Sequence, residues 1–205
     1  MKIAILVEGQ TEDAFKRHLL NFLQTHLTDQ ITDQMPKLVM VRCDGRIPKE
    51  KELKHQVEKL LTGQKPVDAV IALTDVYTGS DDFIDAADAK QKMTNWVGNH
   101  PKFYPHVAQY DFEAWLLPFW SDIQKRAGHN KKSPGKEPEK VNHNKPPAKH
   151  IEEIFRLGKR KRYHKPRDSY SILKGKDLTI SANACPELKA FLNTLLTLCG
   201  ATPLP

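Results

Sequence analysis

Lys2-Ile3-Ala4-Ile5-Leu6-Val7-Glu8-Gly9-Gln10-Thr11-Glu12 opens the chain with five successive apolar residues, Ile3 to Val7, that end at a carboxylate and a glycine. So short an apolar run, stopped by turn residues, reads as a buried strand. A helix is expected next, with Thr11 as its N-cap and Glu12 and Asp13 in its first turn, where the helix dipole favours negative charge. Glu8 is then presented at the carboxyl end of a first strand. In open α/β sheets that edge is where ligands bind.

The rest of the chain repeats the pattern. Phe15, Leu19, Leu20, Phe22, Leu23 and Leu27 recur at helical spacing. Leu38-Val39-Met40-Val41 reads as a second strand. Pro48 is placed to open a helix carrying Leu53, Val57, Leu60 and Leu61, which stops at Gly63. Val67 to Leu73 is a second strong strand signal and ends at Asp75. Ser80 is expected to cap a helix over 81–96, residues 103–109 read as a fourth strand, and 111–120 as a short helix. Strands alternating with helices imply crossover connections, hence an α/β fold with a mostly parallel central sheet and helices on both faces. Residues 128–147 lose this periodicity and read as a flexible insertion. Helices are expected over 148–157 and 186–198, the last docking back on the body. The expected division is an α/β domain over 1–120 and a basic, partly flexible extension over 121–205.

Composition narrows the classes. The chain has 205 residues, 39% hydrophobic and 28% charged, with no apolar run long enough to span a membrane. No signal-peptide pattern follows Lys2, which implies a cytoplasmic location. Three widely spaced cysteines, with no C-x-x-C pair, argue against a disulfide framework or a thiolate zinc site. Residues 121–176 hold 17 of the 32 Lys and Arg against six Asp and Glu. That stretch carries +11, so the remainder of this +7 chain carries −4. Such asymmetry suits an acidic centre beside a basic arm for a polyanion, although charge runs are also often only a solvated face.

Parallel strands end on one edge, so Glu8, Asp75 and the pair Asp111 and Glu113 are expected to meet there. Asp111 reads first as an N-cap, with Glu113 one turn in and facing the sheet edge. Glu12 lies one helical turn from Glu8 and can share its partner, while Asp81 and Asp82 are divided between capping and the site. Trp115 reads as core. Oxygen ligands of this kind suit Mg²⁺ or Mn²⁺, with water and substrate phosphate completing the shell.

Val7-Glu8-Gly9-Gln10-Thr11-Glu12, the strand ending Leu73-Thr74-Asp75, and Phe112-Glu113-Ala114-Trp115-Leu116-Leu117 together resemble the TOPRIM superfamily. The likeness is to a bacterial TOPRIM-like group labelled only as a domain of unknown function. That group is related to the nuclease half of OLD-family proteins and to RloB-like proteins. Lys165-Pro166 and Ala184-Cys185-Pro186-Glu187-Leu188-Lys189-Ala190-Phe191-Leu192 resemble the same group's C-terminal end. The resemblance implies a Rossmann-like sheet and Mg²⁺-dependent phosphodiester chemistry, with Glu8 as the TOPRIM glutamate and Asp75 as the first aspartate of a D-x-D pair. Tyr77 stands where the second would be, so Asp81, Asp82 or Glu113 is the expected substitute. Lys165 is the implied transition-state lysine. The resemblance also implies a separate ATPase partner and a role in phage defence, since the chain lacks a G-x-x-x-x-G-K-[ST] phosphate loop.

The leading expectation is a metal-dependent nuclease, with Arg156, Lys159, Arg160, Lys161, Arg162 and Arg167 tracking a DNA or RNA backbone. Two alternatives stay open. One is a TOPRIM-like regulatory subunit without catalysis, docked on an ATPase. The other is a non-catalytic nucleic-acid-binding module. A homo-oligomer also stays open.

Overall fold

The computed structural model describes residues 1–27, 35–77, 82–142, 145–158 and 162–205. Four strands, β1 (Lys2–Val7), β2 (Lys37–Arg42), β3 (Ala69–Asp75) and β4 (Phe103–Ala108), form one sheet of order β2-β1-β3-β4 with every pairing parallel. Helices α1 (Gln10–Leu27), α2 (Glu50–Thr62) and α3 (Ala86–Val97) make the crossovers.

Alternation along β1 shows why the sheet is covered twice. Ile3, Ile5 and Val7 join an apolar cluster with Phe15, Leu19 and Leu23 of α1. Ala4 and Leu6 join another with Leu53 and Val57 of α2 and Met93 of α3. Each such aliphatic side chain stabilises the fold by about 1.5–3 kcal/mol on burial. The mostly parallel α/β sheet with helices on both faces is the architecture expected from the sequence.

The start of α1 differs in detail from expectation. Gly9, not Thr11, occupies the cap: its carbonyl accepts from the Asp13 N–H (3.2 Å), and its own N–H donates to Glu12 Oε2 (3.0 Å). A glutamate at the third helical position reaching back in this way is one half of a capping box. Helix α3 begins at Ala86, five residues later than expected, because the Asp85 carboxylate accepts the Asp88 N–H (2.8 Å). Ser80, the expected cap, lies outside the described residues.

After β4 the chain forms a 3₁₀ helix (Phe112–Phe119) and then α4 (Trp120–Ala127). Pro118 lacks an N–H and crowds the preceding turn, which accounts for the tighter helix where a short α-helix was expected. A 3₁₀ turn (Pro138–Lys140) and helices α5 (Pro147–Leu157), α6 (Lys165–Leu173), α7 (Leu178–Ala184) and α8 (Pro186–Leu198) follow. Ile151, Phe155, Leu173, Leu188, Phe191 and Leu195 share the apolar cluster of α1 and β1. The basic C-terminal part therefore completes the core on one face of the sheet. Gly158 marks a close approach there, since a Cβ on it would lie 1.9 Å from the Ala127 carbonyl oxygen. Among the described residues, no helix is long and apolar enough to cross a membrane.

Candidate metal centre

Strand register brings the site together. Val7 pairs with Leu73, so Glu8 comes level with Thr74, and Asp75 pairs with Ala108 at the end of β4. From β1 the chain first crosses to β2 on one side and then returns to β3 on the other. Glu8 and Asp75 thus flank the point where the connections diverge, the usual crevice of such sheets.

Glu8 is held from the neighbouring strand. Its Oε1 accepts hydrogen bonds from the Thr74 hydroxyl and from the Asp75 N–H (2.9 Å). Thr74 is itself buried. Burial pushes the Glu8 carboxyl above its ordinary pKa, against the pull of those two bonds and of the Lys165 and Arg46 charges. Burial, then repulsion from Glu8 and Glu113, also raises Glu12.

Asp75 is the centre of the charge cluster. Burial raises its carboxyl well above the usual range, and Glu8, Asp111, Glu12 and Glu113 each raise it further. Among the described residues no hydrogen-bond donor reaches the Asp75 side chain. Asp111 is pushed up to about 7, first by burial and then by Glu113, while the Ala148 N–H and Lys165 act the other way.

Asp111 occupies the expected N-cap position of the 3₁₀ helix, but its side chain caps a different element. Its Oδ2 accepts the Ala148 N–H (3.0 Å) in the first turn of α5, and Oδ1 is buried without a hydrogen-bond partner. Glu113 is fully buried. Its Oε1 accepts from the Tyr163 hydroxyl (3.2 Å) and its Oε2 from Lys165 Nζ (3.3 Å). Tyr163 in turn shares a 2.7 Å hydrogen bond with Ser169. Burial opposes the charge of Lys165, but the Glu113, Asp111 and Asp75 carboxylates outweigh it and hold its pKa above the ordinary lysine value.

Of the residues singled out from the sequence, the fold therefore gathers Glu8, Glu12, Asp75, Glu113 and Lys165. Asp82 is engaged elsewhere: its carboxylate pairs with Lys49 and with Arg46 (3.8 Å). Asp81, Lys159, Arg160 and Lys161 lie outside the described residues. Arg156 and Arg162 are exposed, with no ion pair among the described residues. Arg167 is bound to the buried Asp168 at 3.1–3.2 Å. Asp111 was expected at this edge with Glu113, first as an N-cap, and the fold brings it into the cluster. Thr74, Tyr163 and Ser169 are the members that pattern reading did not place, and none of them carried a signal.

The donors are of the type that suits a hard divalent cation. Glu8 Oε2, both Asp75 oxygens and Asp111 Oδ1 receive no hydrogen bond among the described residues. All are carboxylate oxygens, the ligands Mg²⁺ and Mn²⁺ prefer, and a cation relieves their mutual repulsion. Among the described residues, no group of three or more His, Cys, Asp or Glu side chains is placed closely enough to hold a metal ion as it stands.

The fold is similar to the C-terminal region of the Burkholderia pseudomallei OLD protein, at 12% identity and a TM-score of 0.47, over 93% of this chain and 98% of that one. No curated protein matches the chain. Residues 7–196 match the family described as Domain of unknown function (DUF4276), and the chain belongs to that family.

Proposed function

We propose that the chain is a metal-dependent nuclease that hydrolyses phosphodiester bonds. The observation that carries this reading is the gathering of four carboxylates around a fifth, Asp75, with Lys165 facing them. Glu8, Glu12, Asp75 and Asp111 would hold Mg²⁺ or Mn²⁺. Such an ion, when bound, neutralises phosphate charge and makes water a better nucleophile.

The chain's own groups have distinct tasks. Thr74 and the Asp75 N–H fix one oxygen of Glu8, leaving the other to face the centre. Glu8, raised by burial, is suited to take a proton. Lys165 stays protonated and presents its charge to the negative charge that develops on the phosphate. Glu113, anchored by Tyr163, aims that lysine. Arg156 and Arg162, with Lys159, Arg160 and Lys161, would follow the nucleic-acid backbone. Arg167 contributes less because Asp168 claims it. An ATPase partner and a place in phage defence complete the proposal.

The test is cleavage of plasmid, single-stranded DNA and tRNA with Mg²⁺ or Mn²⁺ by the wild type and by Glu8→Ala. The reading expects cleavage by the wild type and a loss of at least about 100-fold in the variant. Equal cleavage by both proteins would sink it. Tyr77, in place of a second aspartate, favours one other reading: a regulatory subunit without catalysis. That reading expects no metal binding together with tight co-purification of an ATPase.

A further inference from the structure

Just beyond Asp75 the chain carries an exposed aromatic ring that the nuclease reading leaves unused. All sixteen Phe, Trp and Tyr residues lie among the described residues, and Tyr77 is the one in the exposed class, at 58%. It stands two residues beyond Asp75. A phenol there is a poor substitute for a carboxylate ligand.

Its backbone is fixed. The Val76 N–H donates to the Ala108 carbonyl (3.1 Å) and the Tyr77 N–H to the Tyr110 carbonyl (2.7 Å). Tyr110 sits at φ 70°, in the left-handed region that costs a non-glycine residue strain. Beyond the paired strands, the backbone therefore continues to bond across the sheet end, two residues past Asp75, where the ring is exposed.

Two cations border the same carboxylates. Arg46, from the loop before α2, has a side chain 57% exposed and acts on Glu8. Lys165, from α6, has a side chain 45% exposed and binds Glu113. Cations at the carboxylates, with an exposed ring two residues from Asp75 in the chain, match a strand whose phosphates and base faces are both accessible. In a duplex the base faces are covered by stacking on their neighbours, so the ring has no partner.

We infer that the site takes single-stranded nucleic acid, with an unpaired base stacked on Tyr77 next to the phosphate presented to the carboxylates. This rests on the nuclease reading of the site and names its substrate class.

The test is fluorescence anisotropy in EDTA, with dye-labelled oligothymidylate, oligouridylate and a DNA duplex, each of about 20 nucleotides per strand. The wild type is expected to bind at least one of the single strands more tightly than the duplex. The two single-stranded arms distinguish DNA from RNA. Tyr77→Ala is expected to weaken single-strand binding about tenfold and duplex binding by less than about twofold, with an unchanged melting temperature. Tyr77→Phe, which keeps the ring, is expected to bind as the wild type does.

Duplex bound as tightly as either single strand overturns the inference. So does Tyr77→Ala binding like wild type, which would leave the ring to a protein partner, or Tyr77→Phe as weak as Tyr77→Ala. Cleavage is blocked in EDTA, so this outcome is independent of the Glu8→Ala comparison. A protein that cleaves yet ignores Tyr77 loses this inference alone.

Discussion

Asp111 does two jobs with one carboxylate. One oxygen satisfies the first turn of α5, and the other lies buried in the acidic cluster without a partner. Its raised pKa gives a pH dependence whose sign is fixed. The folded state holds the proton up to about pH 7, against an ordinary value of 3.8. The stability this supplies is complete below about pH 4 and is lost as pH rises through about 7. Glu8, Glu12 and Asp75 are raised too and act in the same sense. In EDTA, the melting temperature should therefore fall between about pH 5 and pH 8, and Asp111→Asn should flatten the fall. Saturating Mg²⁺ should raise the melting temperature more at about pH 8 than at about pH 5.5, because its ligands must be deprotonated. Differential scanning fluorimetry reads all three, and a melting temperature that climbs with pH in EDTA would contradict them. At this scale Glu8, Asp75 and Glu113 were legible in the sequence because each ends or follows an apolar strand. Thr74 and Tyr163 were not. A hydroxyl inside a strand or a basic loop looks the same whether it orients a carboxylate or fills space.

Elements with one strong physical signal were equally legible. The unbroken runs of β1 and β3 and the leucine spacing of α8 can be read directly. Helices α6 and α7 were not. Lys-Pro-Arg-Asp-Ser-Tyr-Ser-Ile-Leu looks like a charged loop, yet Asp168 and Ser169 are buried there, satisfied by the His164 N–H (2.8 Å) and by Tyr163. Helix ends in this fold are often capped from a distance, which no local pattern reveals. Glu139 illustrates it: its carboxylate accepts the Trp115 Nε1–H (3.2 Å) and, through Oε2, the Glu187 N–H (3.0 Å) at the start of α8. Glu139→Ala should cost about 1–2 kcal/mol and shift the tryptophan emission, since it removes a cap and orphans an indole donor. Urea denaturation followed by fluorescence checks both, and an unchanged midpoint would show that the cap is idle.

Across the whole molecule, charge and core tell a joint story. The +11 stretch is less free than its composition suggests. Lys131 and Lys145 pair with Glu153, Lys149 with Glu152, Lys176 with Asp122, and Arg167 with Asp168. Counting charges could not show this, because pairing depends on how helices meet. The same stretch also supplies Ile151, Phe155, Ile172 and Leu173 to the cluster that covers β1. A fragment of residues 1–120 should therefore lack a cooperative thermal transition by circular dichroism, having lost the cover of one sheet face. A sharp transition in that fragment would show that the first part folds alone.

The proposed binding of a divalent cation by the carboxylates around Asp75 can be measured by calorimetric titration of Mg²⁺ into the wild type and into Asp75→Asn at about pH 7.5. Saturable binding accompanied by proton release is predicted for the wild type, and its loss for Asp75→Asn. Absence of binding heat in the wild type, or identical binding by both proteins, would contradict the account.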